Sequence, residues 1–268
     1  MNPDRAAARL AWAWPTGTVC ALVALWALAT GSGAVADYLL PGPGKVLAAI
    51  GRTASDGTLL THLAPTLSAS LAGWVCGALL ATALAALVTE FRWVERSILV
   101  HLLALQAVPK VSLAPLVFLW AGFDIGGKVI LVTLICFFPV FANAMAGFRS
   151  VGSGPLDLLR ASGASRWHTW RHVKLPTAWP AIFSGLEISV AFALIGCVVM
   201  EFIGATRGLG FLIQDASSTY DLPLSFAAVI VLGAIGTAGN VLLRAARRRL
   251  LPWEGAGRRG SGQGGGRG

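Results

Sequence analysis

The stretch RASGASRWHTWRHVKLPTAWPAI, residues 160–182, holds the cations Arg160, Arg166, Arg171 and Lys174, the histidines His168 and His172, and two prolines toward its far end. Its setting makes it unusual. Of 268 residues 56% are hydrophobic and only 12% charged, with a mean hydropathy of +0.71; a soluble domain carries about a quarter charged residues. The segment leads straight into an apolar run starting near Thr177, long enough for a bilayer core that needs about 20 helical residues. A dense polar arm is thus joined to a membrane helix. Long continuous apolar runs, rather than short alternating strands, predict an all-α integral membrane protein.

Working outward, six apolar spans are predicted: 11–30, 62–89, 97–121, 128–147, 177–203 and 223–243. Residues 37–60 are too polar and too broken by Pro and Gly to span, and KVLAAIGR (45–52) predicts a short helix lying at the interface. Three regions follow: 1–61, with the N-terminal end, the first span and an outer lead-in segment; 62–247, the transmembrane core with the charged loop 148–176; and 248–268, a basic Gly-rich tail whose low complexity predicts disorder. Arg5, Arg9, a modest apolar run and AVA before Asp37 also fit a cleavable signal peptide. The run extends to twenty residues and begins with Trp12 and Trp14, typical interfacial anchors, and so reads as a retained span.

Orientation follows from Lys and Arg in the connections. The N-terminus, the turn FRWVER (91–96), the central loop and the tail together carry sixteen. The opposite side carries four, Lys45, Arg52, Lys128 and Arg207, and Lys110 falls within a span. Both termini and the charged loop are therefore expected in the cytoplasm of a bacterial inner membrane. The same asymmetry accounts for the net charge of +9 without nucleic acid. Cys20, Cys76, Cys136 and Cys197 lie in four different apolar runs with no metal-ligand spacing, and read as small packing residues. Gly73/Gly77 and Gly233, Gly236 and Gly239 suit close helix packing.

In the loop, Gly152, Ser153, Gly154 and Pro155 precede PLDLLRASGASRWHTWRHV. Pro155 suits a first helical position, and Asp157 in the first turn would complement the helix dipole. Ala161, Gly163 and Ala164 make a smooth patch, after which Trp167, Trp170 and Val173 recur at helical spacing. Smooth surface beside Trp and Arg is what a protein interface uses; a loop that merely obeyed the charge rule would need no such order.

The loop resembles the EAA loop of permease subunits of ATP-binding-cassette importers, whose pattern is E-A-A, three residues, G, nine residues, I-x-L-P. Asp157-Leu158-Leu159 stand at the head, Gly163 at the glycine, and Val173-Lys174-Leu175-Pro176 at the end, without a gap. The head departs, with Asp for Glu and two leucines for two alanines. YLLPGPGKV (38–46), AVPKVSLAPLVFLWAGF (107–123), FFPVFANAMAGFRSV (137–151) and MEFIGATRGLGFLI (200–213) are similar to the nitrate/sulfonate/taurine branch of those permeases. The resemblance implies a type I ABC importer permease fold of about six transmembrane helices and a cytoplasmic coupling helix seated on a separate ATPase. Asp157, Ala161, Gly163, Ala164, Ser165, Arg166 and Trp167 would form the docking surface, with Leu175 and Pro176 fixing the lever to the fifth span. It further implies two ATPase subunits, a second permease copy, an extracytoplasmic solute-binding protein, and a small anionic solute of the sulfonate, taurine or nitrate kind; relatives also carry heterocyclic precursors.

Other chemistry is thin. PGPGKV (41–46) lacks the G-x-x-x-x-G-K-[ST] spacing of a phosphate loop and lies on the outer side, so no cofactor is expected on this chain and ATP falls to a partner. His168 and His172 share a helix face, but no third ligand completes a metal site. His62 and His101 sit at span ends and support no inference. Pro109 and Pro115 should interrupt the third span around Lys110, exposing backbone to a cavity; Lys110 would lend positive potential to an anion's route. Glu201, near the outer end of the fifth span, is a candidate for the gate, and Glu187 should face the bundle interior. Residues 204–221 would cap the outer pore mouth or help receive a binding protein. An ion-gradient transporter would need intramembrane acidic clusters and inverted repeats, and an enzyme would need a catalytic constellation; the chain displays neither.

Overall fold

The structure is a computed structural model that describes residues 3–33, 35–36, 38–91, 94, 97, 101, 104, 108–122 and 124–252, with backbone alone for 3–15, 153 and 160. Outside it fall most of FRWVER, much of the third predicted span, Phe123, the tail from 253, and the side chains of Arg5, Arg9, Trp12, Trp14 and Arg160.

The described chain is helical: α1 (Pro3–Gly31), α2 (Pro43–Ser55), α3 (Thr58–Glu90), a 3-10 turn (Lys110–Leu113) leading into α4 (Ala114–Ala121), α5 (Ile125–Arg149), α6 (Ser153–Ala161), α7 (Arg166–Gly204), α8 (Leu209–Ser218) and α9 (Leu222–Leu250). Among the described residues, α3, α5, α7 and α9 are long and apolar enough to cross a bilayer. They correspond to four predicted spans. The span at 11–30 falls within α1, whose apolar part Thr16–Gly31 is shorter, and of 97–121 the structure describes chiefly the piece Lys110–Ala121. The interfacial helix expected at 45–52 is α2, which packs Val46 and Ala49 on Ala227 of α9.

The core is α5 held between α3 and α7. In lipid no hydrophobic force draws apolar helices together, so close backbone approach and dispersion must do it. Glycine permits that approach. A Cβ on Gly73 would meet Val132 at 2.5 Å, one on Gly77 the Thr133 carbonyl at 2.9 Å, and one on Gly185 the Val140 Cα at 2.9 Å. Around these contacts pack Ala81, Ala85, Val140, Phe141, Ala144, Phe148, Ala178 and Ile182. Trp74 Nε1 of α3 donates to Ser189 Oγ of α7 at 2.8 Å, satisfying an indole where no water would.

α9 lies along α7, with Gly236 and Gly239 under Leu194 and Val190. It continues to Leu250, and Leu251 is buried, so ordered structure runs past the tail boundary expected at 248. Two forces hold that last stretch. Arg247, Arg248 and Arg249 sit at the negative end of the helix dipole. Glu187 also reaches across from α7 to Arg244 Nε at 3.4 Å and Arg247 Nη1 at 3.2 Å.

Candidate functional site

The expected docking arm is two pieces joined by a turn. α6 starts at Ser153, two residues before Pro155, so Asp157 lies beyond the first turn, contrary to the dipole argument. α6 ends at Ala161, where Ser162 N–H donates to Leu158 O at 3.0 Å and Ala164 N–H to Leu159 O at 3.0 Å. Gly163 makes that turn with φ of +73°, and a Cβ there would meet nothing within 4 Å. Its requirement for glycine is thus conformational rather than spatial: a left-handed residue costs an L-amino acid roughly 1–2 kcal/mol. Ser165 then caps α7, its Oγ accepting from His168 N–H at 3.2 Å.

From Arg166 the helix runs without a break through Pro176 to Gly204. Proline in a helix interior lacks an N–H and crowds the carbonyl four residues back. A π-helical turn, Trp170–Lys174, absorbs this, with Leu175 N–H reaching five residues back to Trp170 O. Leu175 and Trp179 then pack onto the α3–α5 core, and Lys174 Nζ pairs with Glu90 Oε1 at the end of α3. The arm's surface stays uncovered: Leu158 is 70% exposed and Trp167 65%, while Ala161, Gly163, Ser165 and Arg166 are also exposed. Trp167 stacks on Trp170 at 5.2 Å and His168 on His172 at 4.2 Å. Among the described residues no three His, Cys, Asp or Glu cluster as a metal site would need.

At the other end of α7 the chemistry is internal. Glu201 is 1% exposed, and its carboxylate is surrounded by donors from three other elements. Lys128 Nζ of α5 reaches Oε1 at 2.8 Å; Thr66 Oγ1 of α3 lies 2.8 and 3.0 Å from the two oxygens; Gly210 N–H of α8 donates to Oε2 at 2.8 Å. Thr66 Oγ1 in turn accepts from Leu209 N–H at 2.8 Å, and Lys128 Nζ also donates to Arg207 O at 3.2 Å. Gly208 fits because a Cβ there would fall 2.1 Å from Glu201 Oε1. His62 Nδ1 meets the backbone of Gly208, 3.1 Å from its O and 3.2 Å from its N, and stacks on Phe211. A buried charge needs both a counter-ion and hydrogen bonds, and this node supplies both while clamping α8 to α3, α5 and α7.

Sequence reading counted Lys128 only among the cations of the outer side. It is 6% exposed, the ion-pair partner of Glu201. A signal was present: Lys128 opens one predicted span and Glu201 closes the next, so the two belong at the same depth. His62, which opens another span on that side, was passed over for the same reason.

Lys110 is half-buried in the 3-10 turn, its Nζ 4.4 Å from the ring centroid of Phe138 midway along α5, a favourable cation–π placement. Pro109 and Pro115 bracket that turn on exposed positions. Glu187, expected to face the bundle interior, is half-buried and meets two arginines of α9.

Beyond the node, α8 closes on a turn at Tyr220, whose φ is +59°. Asp221 N–H donates to Ala216 O at 2.8 Å, and Asp221 Oδ1 accepts from Leu224 N–H to start α9.

The fold defines a helical membrane protein whose exposed polar arm is continuous with a long apolar helix. Residues 77–253 match the family described as the binding-protein-dependent transport system inner membrane component, and the chain belongs to it. The riboflavin transport system permease protein of Chloroflexus aurantiacus is 34% identical over 237 residues, covering 88% of each chain. The formylaminopyrimidine transport permease protein of Halalkalibacterium halodurans is 32% identical, covering 81% of this chain and 86% of the relative. The putative aliphatic sulfonates transport permease protein of Bacillus subtilis is 30% identical, covering 91% and 90%. The chain is thus a permease of the ATP-binding-cassette importer family, an inner-membrane component of a binding-protein-dependent transport system, and not an enzyme.

Proposed function

We propose that two copies of this chain form the translocation pathway of an importer, with both termini and the 148–176 arm in the cytoplasm. Two ATPase subunits grip the arms, and a binding protein delivers solute to the outer face. The chain holds no cofactor, and ATP is hydrolysed by the partner. The observation that carries this reading is the continuity of α7 from Arg166 to Gly204. At 1.5 Å per residue those 39 residues span about 58 Å, so one rod joins the exposed surface at Gly163–Trp167 to the buried node at Glu201. A rigid connection of that kind is what converts motion at one end into rearrangement at the other. The sixteen-to-four distribution of cations supports the orientation.

The solute is a small organic or inorganic anion of the sulfonate, taurine or nitrate kind. Lys110, near mid-depth beside a broken helix, supplies positive potential on its route. A second reading, a heterocyclic solute, is favoured by the names of the riboflavin and formylaminopyrimidine permeases among the relatives and by the aromatic ring of Phe138 under Lys110.

Reconstitution with the partner ATPase and binding protein tests the arm. Gly163→Trp should lower coupled ATP hydrolysis and uptake about tenfold or more, while thermal unfolding of the permease shifts by no more than the roughly 1–2 kcal/mol of left-handed strain. Undiminished coupling in that variant sinks the docking assignment. Binding measurements on the partner binding protein with sulfonates, nitrate and pyrimidines decide the solute.

A further inference from the structure

Tyr220 stands out on three counts. It is the one non-glycine residue with positive φ among the described residues, at +59°. It is 86% exposed, so its ring gains almost nothing from packing inside the chain. It is also one of only two tyrosines, and the other, Tyr38, is 74% exposed in the lead-in to α2, on the same side of the proposed topology. Its conformation is enforced from both sides: Tyr220 N–H donates to Ser217 O at 3.3 Å, Asp221 N–H closes onto Ala216 O, and Asp221 caps α9. Glycine or asparagine takes this backbone region easily, whereas a bulky aromatic is an outlier there. A strained residue whose side chain does nothing for its own fold points to a role outside it.

We infer that Tyr220 is an anchor for the extracytoplasmic binding protein, held outward by the α8–α9 turn. The inference rests on the orientation and partners proposed above. Tyrosine offers a large rigid face and a hydroxyl at small loss of side-chain freedom, which is why it recurs at the centre of protein interfaces. The surroundings favour a protein over lipid headgroups. From Ala205 to Leu222 the charged residues are Arg207, Asp215 and Asp221, and Gln214, Ser217, Ser218 and Thr219 are exposed polar neighbours. A polar rim with a lone cation and two carboxylates carries no basic cluster to hold anionic headgroups, and suits a polar protein patch. The turn is also tied to the interior, since α8 is clamped by Glu201 through Gly210, so a partner seated on Tyr220 bears on the node directly.

The test uses the full complex in lipid nanodiscs, comparing wild type with Tyr220→Gly and Tyr220→Phe for binding-protein affinity, binding-protein-stimulated ATP hydrolysis and thermal midpoint. Glycine relieves the backbone strain and removes the ring, so the midpoint should stay or rise while affinity and stimulation fall by roughly tenfold, the loss typical of an aromatic anchor. Phe should keep most of both. Wild-type affinity in Tyr220→Gly overturns the inference. So does a lowered midpoint with binding intact, which would make Tyr220 a headgroup anchor. If wild type itself neither binds nor responds to the binding protein, the importer reading falls as well, an outcome distinct from a wild type that responds and a variant that matches it.

Discussion

At the arm end of α7, Trp167 leaves 65% of its surface uncovered; near the far end, Glu201 leaves 1%. One helix therefore carries two regions built on opposite rules. The arm places aromatic and basic side chains where nothing in the chain covers them, and its internal bonds only shape the backbone: a left-handed Gly163, a Ser165 cap and a π-turn ahead of Pro176. The node closes a carboxylate, an ammonium, a hydroxyl and backbone N–H groups onto one another. The two ends differ in where their energy is realised. The node stabilises this chain by itself, whereas the arm's exposed side chains contribute little to the chain's own fold.

The largest expected break is at the node. Glu201→Ala leaves the Lys128 ammonium buried without its counter-ion, which should destabilise the solubilised protein by about 3–5 kcal/mol. Adding Lys128→Met should recover a large part. A single-variant loss under about 1 kcal/mol would mean that water reaches the site and the node is no clamp. Next in size is the helix seam between the two ends. Gly185→Val places a Cβ 2.9 Å from Val140 Cα and 3.0 Å from Pro139 O, neither of which yields like a flexible side chain. A loss of about 1–3 kcal/mol in thermal unfolding follows from overpacking. The smallest effect on stability should be at the arm, where Trp167→Ala forfeits mainly a surface ring stack worth no more than about 1 kcal/mol. The same variant should reduce ATPase coupling roughly tenfold, as loss of an interface tryptophan does. If unfolding of the isolated permease suffers more than coupling, the contrast between the two ends is wrong.

The arm was legible in sequence because its information is local. Spacing from Asp157 through Gly163 to Pro176, a proline and a run of cations can be read without knowing what lies beside them. Even so, one joint was misplaced, since α6 begins earlier than Pro155 suggests, and the π-turn that carries the helix past Pro176 as a continuous rod was not foreseen. The node was half legible. Glu201 drew attention as an acid in an apolar span, yet Lys128 was counted with the outer loops and His62 was set aside. Glu187 drew no role beyond facing the bundle interior, and the structure pairs it with Arg244 and Arg247 in the last turns of α9.

By itself the sequence determined that this protein is a bundle of membrane helices carrying one ordered polar arm, and which branch of permeases it resembles. Hydropathy, charge asymmetry and motif spacing are properties of consecutive residues, and the bilayer translates them directly into spans and sides. Only the tertiary structure decided which buried charges meet, which glycines lie under a neighbouring helix, and that Tyr220 stands strained and uncovered. Those depend on residues dozens to more than a hundred positions apart being brought together, 73 positions for Lys128 and Glu201 and 135 for Thr66 and Glu201. No local pattern encodes such distances; packing α5 between α3 and α7 creates them.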